Sequence, residues 1–289
     1  MLALSASDIA ETEPSSPELK CTAIAYRVKA IGSLNQAIGQ GLESIEQGNA
    51  MIATCFSLLF QSTFLSDGLV EYMTFIRGVL AVSVQMGKNN LKFLFQHMFD
   101  QVQVVESELT EAPLIPPDQA HGACRSLQQF CPLVQNTREV EFYEHLLSAS
   151  RALLTSSRDG KSSSRITRNT TLIQTRTAYS NLAKIYNLFS YVMSHEEFAA
   201  FISPFNEAGK LLQSHFVALQ LVMTPFTRRE STAKQHSAAP GEVPGSTGQW
   251  LVAIHRDIKP EMMKYYEWPR WVHRELEAGR LWNEDTKVE

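Results

Sequence analysis

Little in this chain is present in excess, and the shortages exclude a good deal. Four cysteines in 289 residues are too few for a disulfide framework. Cys55 lies inside an apolar run, where a free thiol behaves as a small hydrophobe. A reducing compartment is the expectation. Charge is balanced, with 26 Lys and Arg against 30 Asp and Glu and a net charge of −4, so no global basic field draws in nucleic acid. No basic n-region precedes an apolar core near Met1, so a signal peptide is not expected, and the sequon at Asn169 has no secretory context. Gln61, Asp67, Glu71 and Arg77 interrupt the most apolar stretches, so no membrane span is expected either.

The familiar catalytic strings are missing as well. No Gly-x-Ser-x-Gly elbow, phosphate loop or His-Glu-x-x-His occurs. The string from His255 to Glu261 (His-Arg-Asp-Ile-Lys-Pro-Glu) spells part of a kinase catalytic loop. The magnesium-binding Asn three places after the Lys is replaced by Met262, a poor ligand for a hard cation. That string reads instead as a polar helix ending near Pro260. Cys124 and Cys131 have half of a zinc-cluster spacing without its other thiolates, and read as two small buried residues seven apart on one helix face. His145, with Glu141 and Glu144, reads as a solvated helix face, and His195 as exposed. No metal, cofactor or catalytic residue is assigned, and the expectation is a non-enzyme. An enzyme built from scattered residues would need a concave cluster of perturbed titratable groups.

What is present is helical periodicity. Apolar residues make up 44% of the chain, ample for a core. Residues 1–17 read as a flexible N-terminus. Pro17 and Glu18 suit the start of a helix whose apolar face is Leu19, Ala23, Tyr26, Ala30, Leu34, Ala37 and Ile38, closed by Gly39 and Gly41. Residues 49–64 are apolar on nearly all sides and suit a bundle centre. Further helices are expected over 69–86, 91–105, 118–134, 139–155 and 172–193. A capping box at Ser194 and Glu197 opens a short helix to Phe201. Another helix runs from Ser203 to Pro225, and a final block over 249–282 holds Trp250, Trp268, Trp271 and Trp282. Polar stretches near 156–171 and 227–248 read as mobile loops, and 283–289 as a tail. With no period-two pattern, the fold class is all-α: a multi-helix orthogonal or layered bundle with a long internal loop and a Trp-rich C-terminal segment, forming one domain over 18–282.

Three pieces carry a resemblance: Tyr26-Arg27-Val28-Lys29-Ala30-Ile31-Gly32-Ser33-Leu34-Asn35; Gly48-Asn49-Ala50-Met51-Ile52-Ala53-Thr54-Cys55-Phe56 with Phe60-Gln61-Ser62; and Asp67-Gly68-Leu69-Val70-Glu71-Tyr72-Met73-Thr74-Phe75-Ile76-Arg77-Gly78. Together they resemble the C-terminal regulatory domain of fungal six-cysteine zinc-cluster transcription factors, the sterol uptake control group above all. Tyr266-Glu267-Trp268-Pro269 is similar to that domain's end. The resemblance implies a helical effector domain, nuclear location (cytoplasmic without it), and a role in lipid or secondary metabolism. It also implies an apolar, sterol-like ligand, for which Met51, Phe56, Phe60, Phe75 and Met86 are the candidate pocket; an ordinary core is the competing reading of these side chains. The zinc cluster itself does not occur in these residues, so the chain is not expected to bind DNA directly. The partner classes left open are an apolar small molecule, a partner protein and a second copy of the chain. The alternative function is an apolar-ligand sensor or carrier acting outside the nucleus.

Overall fold

In the computed structural model of the chain, residues 1–12, 17–95, 117–158, 165–232 and 247–281 are described. Helix is the only regular structure among them, as expected of an all-α protein. Where the sequence reading has one domain over 18–282, the chain divides into two compact units. One comprises residues 1–99 with 244–247, the other 100–243 with 248–289.

The first unit is built from α1 (Leu2–Thr12), α2 (Pro17–Gln40), α3 (Ile45–Ser62) and α4 (Leu69–Lys88). Residues 1–17 were expected to be loose, yet α1 packs on α2 and α3 through buried Ala3, Ala6 and Ala10. Small side chains at steps of three and four let its backbone come close. Pro17 and Glu18 do open α2, and Gly41 closes it at φ +88°, a conformation that favours glycine. The buried stripe of α2 differs from the expected one. It runs through Ala23, Arg27 and Leu34, while Tyr26 and Ile38 face outward. Ser44 caps α3, its Oγ accepting from the Gln47 amide at 3.1 Å.

Helix α3 is the centre of this unit and touches the other three helices. Its Met51, Ile52, Cys55 and Leu58 meet Leu34 of α2 and Val79, Val82 and Met86 of α4. The α3–α4 turn depends on Gly68, where a Cβ would lie 2.0 Å from the Ser62 carbonyl oxygen. The helix expected over 91–105 is not present in its described part, 91–95. Asn49 holds that segment instead. Its Nδ2 donates to the Ile45 and Lys92 carbonyls at 2.8 and 3.0 Å, and its Oδ1 accepts from the Leu94 amide at 2.9 Å. Backbone groups that would propagate a helix are thereby engaged by a side chain. Residues 96–105 lie outside the described residues. Among the described helices α4 is long and apolar enough to cross a membrane by composition. Its Leu69, Met73, Val79, Val82 and Met86 are buried in this unit.

The second unit holds α5 (Pro117–Phe130), α6 (Thr137–Arg158), α7 (Arg165–Asn187), α8 (His195–Phe201), α9 (Glu207–Thr232), α10 (Thr247–Asp257) and α11 (Glu267–Glu277). Its axis is α9, where Leu211, Leu212, Phe216, Val217, Ala218, Leu219, Leu221, Val222 and Met223 are all buried. A helix apolar on every face belongs at the centre of its unit. Helix α9 was expected to stop at Pro225 and continues to Thr232. The two stretches read as loops are correspondingly shorter, since α7 begins at Arg165 and α10 at Thr247. Their remainders, 159–164 and 233–246, lie outside the described residues, as do Trp282 and the tail. Helix α7 ends in a single π-type turn, Leu188–Val192. The capping box follows as expected: Ser194 Oγ accepts from the Glu197 amide at 3.1 Å, and the Glu197 carboxylate accepts from the Ser194 amide at 2.8 Å.

Candidate functional site

The three sequence pieces of the resemblance meet at Arg27. This guanidinium is only 5% exposed, beneath α3. It donates to the Leu58 carbonyl at 3.2 Å, to Gln61 Oε1 at 3.0 Å and to Ser62 Oγ at 3.0 Å, and it pairs with Glu71. Its carbon also lies 5.3 Å from the centre of the Phe75 ring. Gln61 carries the network onward through Nε2, which donates to Ser7 Oγ at 3.0 Å and to the Ala3 and Ala23 carbonyls at 3.2 and 3.3 Å. One charged side chain thus ties α1, α2, α3 and α4 together. A guanidinium suits this task because its planar fork presents five donors in fixed directions.

The glycines of the same pieces have steric roles. A Cβ at Gly48 would sit 2.7 Å from Met86 Sδ, and one at Gly78 would sit 3.3 Å from Cys55 Sγ. Both let α3 and α4 approach closely.

The five candidate ligand residues do not share one environment. Met51 and Met86 are interior members of the core cluster. Phe56 and Phe75 are half-buried at its edge, and Phe60 is 45% exposed outside it. Phe56 connects to Phe60 with ring centres 6.5 Å apart and to Phe95 at 5.7 Å; Phe95 then meets Phe93 at 6.1 Å. The result is an aromatic row along the edge of the α3–α4 core, with the two methionines behind it.

In the second unit one buried polar contact involves a residue that no sequence motif marks. His215 on α9 is fully buried. Its Nδ1 lies 2.7 Å from the Leu211 carbonyl, which can only accept, so Nδ1 carries the proton. Nε2 then accepts from Ser126 Oγ of α5 at 2.8 Å. The ring stacks on Trp268 of α11 at 5.6 Å and meets Phe130 at 4.8 Å. Burial pulls its pKa down to about 4, opposed by the Leu211 carbonyl. A hydrogen-bonded serine and histidine can form a nucleophile and its base, but here Ser126 is itself buried and the third group is a main-chain carbonyl. In this arrangement the pair joins helices. A lone histidine in a run as apolar as Leu211–Met223 was the available signal.

The kinase-like string ends α10. Arg256 and Asp257 pair on the surface at 3.2 Å, and Pro260 opens a 3-10 turn, Pro260–Tyr265. Lys210 of α9 donates to the Asp257 carbonyl at 2.8 Å, a cation at a helix C-terminus. Cys124 is buried as expected, but Cys131 is exposed. Helix α5 stops at Phe130 and the chain turns, so the two cysteines do not share a helix face. His145 is half-buried rather than solvated. Burial lowers its pKa first, and the Lys184 charge second. His195 is exposed as expected.

The four thiols should therefore separate by reactivity. Burial pushes Cys55 and Cys124 up to about 11, whereas Cys21 and Cys131 are exposed. The thiolate is the nucleophile. Iodoacetamide at pH 8 followed by peptide mapping is expected to modify Cys21 and Cys131 at least ~100-fold faster than the other two. Equal rates at all four would contradict this packing.

Comparison with family models, with curated proteins and with solved structures finds no match for this chain. The resemblance to the fungal regulators therefore rests on the residues of 26–78 and 266–269 themselves.

Proposed function

We propose that this chain is a helical effector module of a transcription regulator, acting on gene expression in fungal lipid or secondary metabolism. One observation carries the reading. The pieces that resemble the regulatory domain, 26–35, 48–62 and 67–78, lie within one compact unit, and their polar members Arg27, Gln61, Ser62 and Glu71 form one network. Residues that resemble a family signature and also make a single buried construction support common descent more than scattered matches would. On this reading the protein is nuclear. The test is deletion of the gene combined with localisation of a tagged chain. A nuclear signal and changed transcript levels for a set of metabolic genes are expected; a chain outside the nucleus with an unchanged transcript profile would refute it.

A second reading is favoured by the aromatic row of Phe56, Phe60, Phe93 and Phe95. It makes the same unit an apolar-ligand sensor or carrier, with flexible Met51 and Met86 yielding to a sterol-like molecule. Added ergosterol should then raise the melting temperature. No shift, with no apolar molecule co-purifying, would oppose this reading.

A further inference from the structure

We propose that the Ser126–His215 contact, seated between Phe130 and Trp268, is an acid-sensitive latch that holds α11 and the turn before it against α5 and α9. The elements it joins are remote in sequence. Ser126 and Phe130 come from α5, His215 from α9, and Trp268 from the first turn of α11. The Tyr265 carbonyl, in the turn just before α11, lies 3.4 Å from Ser126 Oγ. Trp268 is pinned on its other side, its Nε1 donating to the Gln119 carbonyl at 3.2 Å. Gln119 in turn donates from Nε2 to the Leu281 carbonyl at 2.8 Å. Residues 265–281 thus meet α5 at the Tyr265 carbonyl, the Trp268 indole and the Leu281 carbonyl, and the middle one of these rests on the His215 ring.

Protonation changes this arrangement at a definite atom. Neutral His215 accepts the Ser126 hydroxyl proton at Nε2. The imidazolium carries a proton there and must donate, so the Ser126 hydroxyl has to turn its own proton away, towards the Tyr265 carbonyl. The added charge is poorly met. Facing the ring are Ser126 and Phe130 of α5, Trp268 of α11, and Leu211 and Ser214 of its own helix, while the Tyr265 carbonyl lies against Ser126. Tyr143 of α6 lies behind Phe130, and burial holds its phenol protonated. Among the described residues no carboxylate acts on the ring; burial and the Leu211 carbonyl are the influences on its charge. Opening this contact lets water reach the imidazolium, so acid favours the open form.

The sign follows from the depressed pKa. The closed form binds fewer protons than the open one, whose histidine titrates near the ordinary 6.5. Closure is therefore at full strength above about pH 6.5, weakens as pH falls towards about 4, and levels off below that. Each pH unit inside the window multiplies the opening constant by about ten, so between pH 7 and 4.5 it rises on the order of 50-fold.

The test is amide hydrogen exchange of the full chain at pH 7, 5.5 and 4.5, corrected for the intrinsic rate, comparing peptides from 260–281 with peptides from 139–153. The expected result is a roughly 50-fold loss of protection over 260–281 while 139–153 keeps its protection. The acid response should vanish in His215→Gln, which cannot titrate. Unchanged protection over 260–281 at pH 4.5, or loss in step with 139–153, overturns the latch. These two outcomes are read in the unaltered protein and do not depend on the variant folding. A folded His215→Gln that still opens in acid overturns it as well.

Discussion

Arg27→Ala is expected to destabilise the first unit by about 3 kcal/mol. Removing the guanidinium leaves the buried Gln61 Oε1 without its donor and frees the Leu58 carbonyl and Ser62 Oγ from one partner each. Glu71 contributes less to the loss. Its side chain is nearly half exposed, so water replaces the ion pair. Glu71→Gln should accordingly cost less than about 1 kcal/mol. Arg27→Lys should fall near the alanine variant, because one ammonium cannot span four acceptors on two helices. All four tryptophans lie at or beyond Trp250, outside residues 1–95. The suitable signal is Cys55, a buried thiol in the same core. Its labelling under native conditions should accelerate about 100-fold in Arg27→Ala, as a 3 kcal/mol loss implies. An unchanged labelling rate would mean that Arg27 is dispensable to this unit.

The other large effect is expected at Trp268. Trp268→Ala should cost about 4 kcal/mol in the second unit, through lost burial and the void left behind. The indole packs so tightly on α5 that a Cβ at Gly122 would come within 2.7 Å of its Cδ1. It also covers His215 and bonds the Gln119 carbonyl. Trp268→Phe keeps the stacked face and loses the Nε1 donor, and should fall between the two. Guanidinium unfolding followed through Trp250 and Trp271 would measure both variants. A midpoint unchanged in Trp268→Ala would refute the placement of α11 on α5.

The helices were legible in the sequence wherever a local rule governs them. Pro17 opens α2, Ser194 and Glu197 form their box, and the apolar run over 49–62 does form a central helix. What the sequence concealed depends on tertiary partners. Arg27 occupies a core position on α2 because acceptors on α3 and α4 await it, so the stripe appeared to run through Tyr26. Asn49 halts the chain after α4 by bonding residues 43 and 45 places away. Alanine spacing in α1 reads as a loose terminus because alanine carries little hydrophobic signal, yet the face of Ala3, Ala6 and Ala10 is buried. Cys131 is exposed because α5 ends one residue before it. Of the aromatic row, Phe56 and Phe60 were among the five residues expected to line a pocket, whereas Phe93 and Phe95 were not. The division of the five candidates into two core methionines, two half-buried rings (Phe56 and Phe75) and one exposed ring (Phe60) follows from helix phase. No motif marks His215, and only packing turns a lone histidine into a junction of three helices.

The claim that 26–78 forms a regulatory module is tested most directly by tethering. The full chain, fused to an unrelated DNA-binding domain, would be expressed in fungal cells carrying a reporter with that domain's site. The expected result is reporter output clearly different from that of the DNA-binding domain alone. Arg27→Ala should return it towards that baseline at equal protein level, and Glu71→Gln should largely preserve it. Output equal to the baseline for the intact, nuclear fusion would contradict the account.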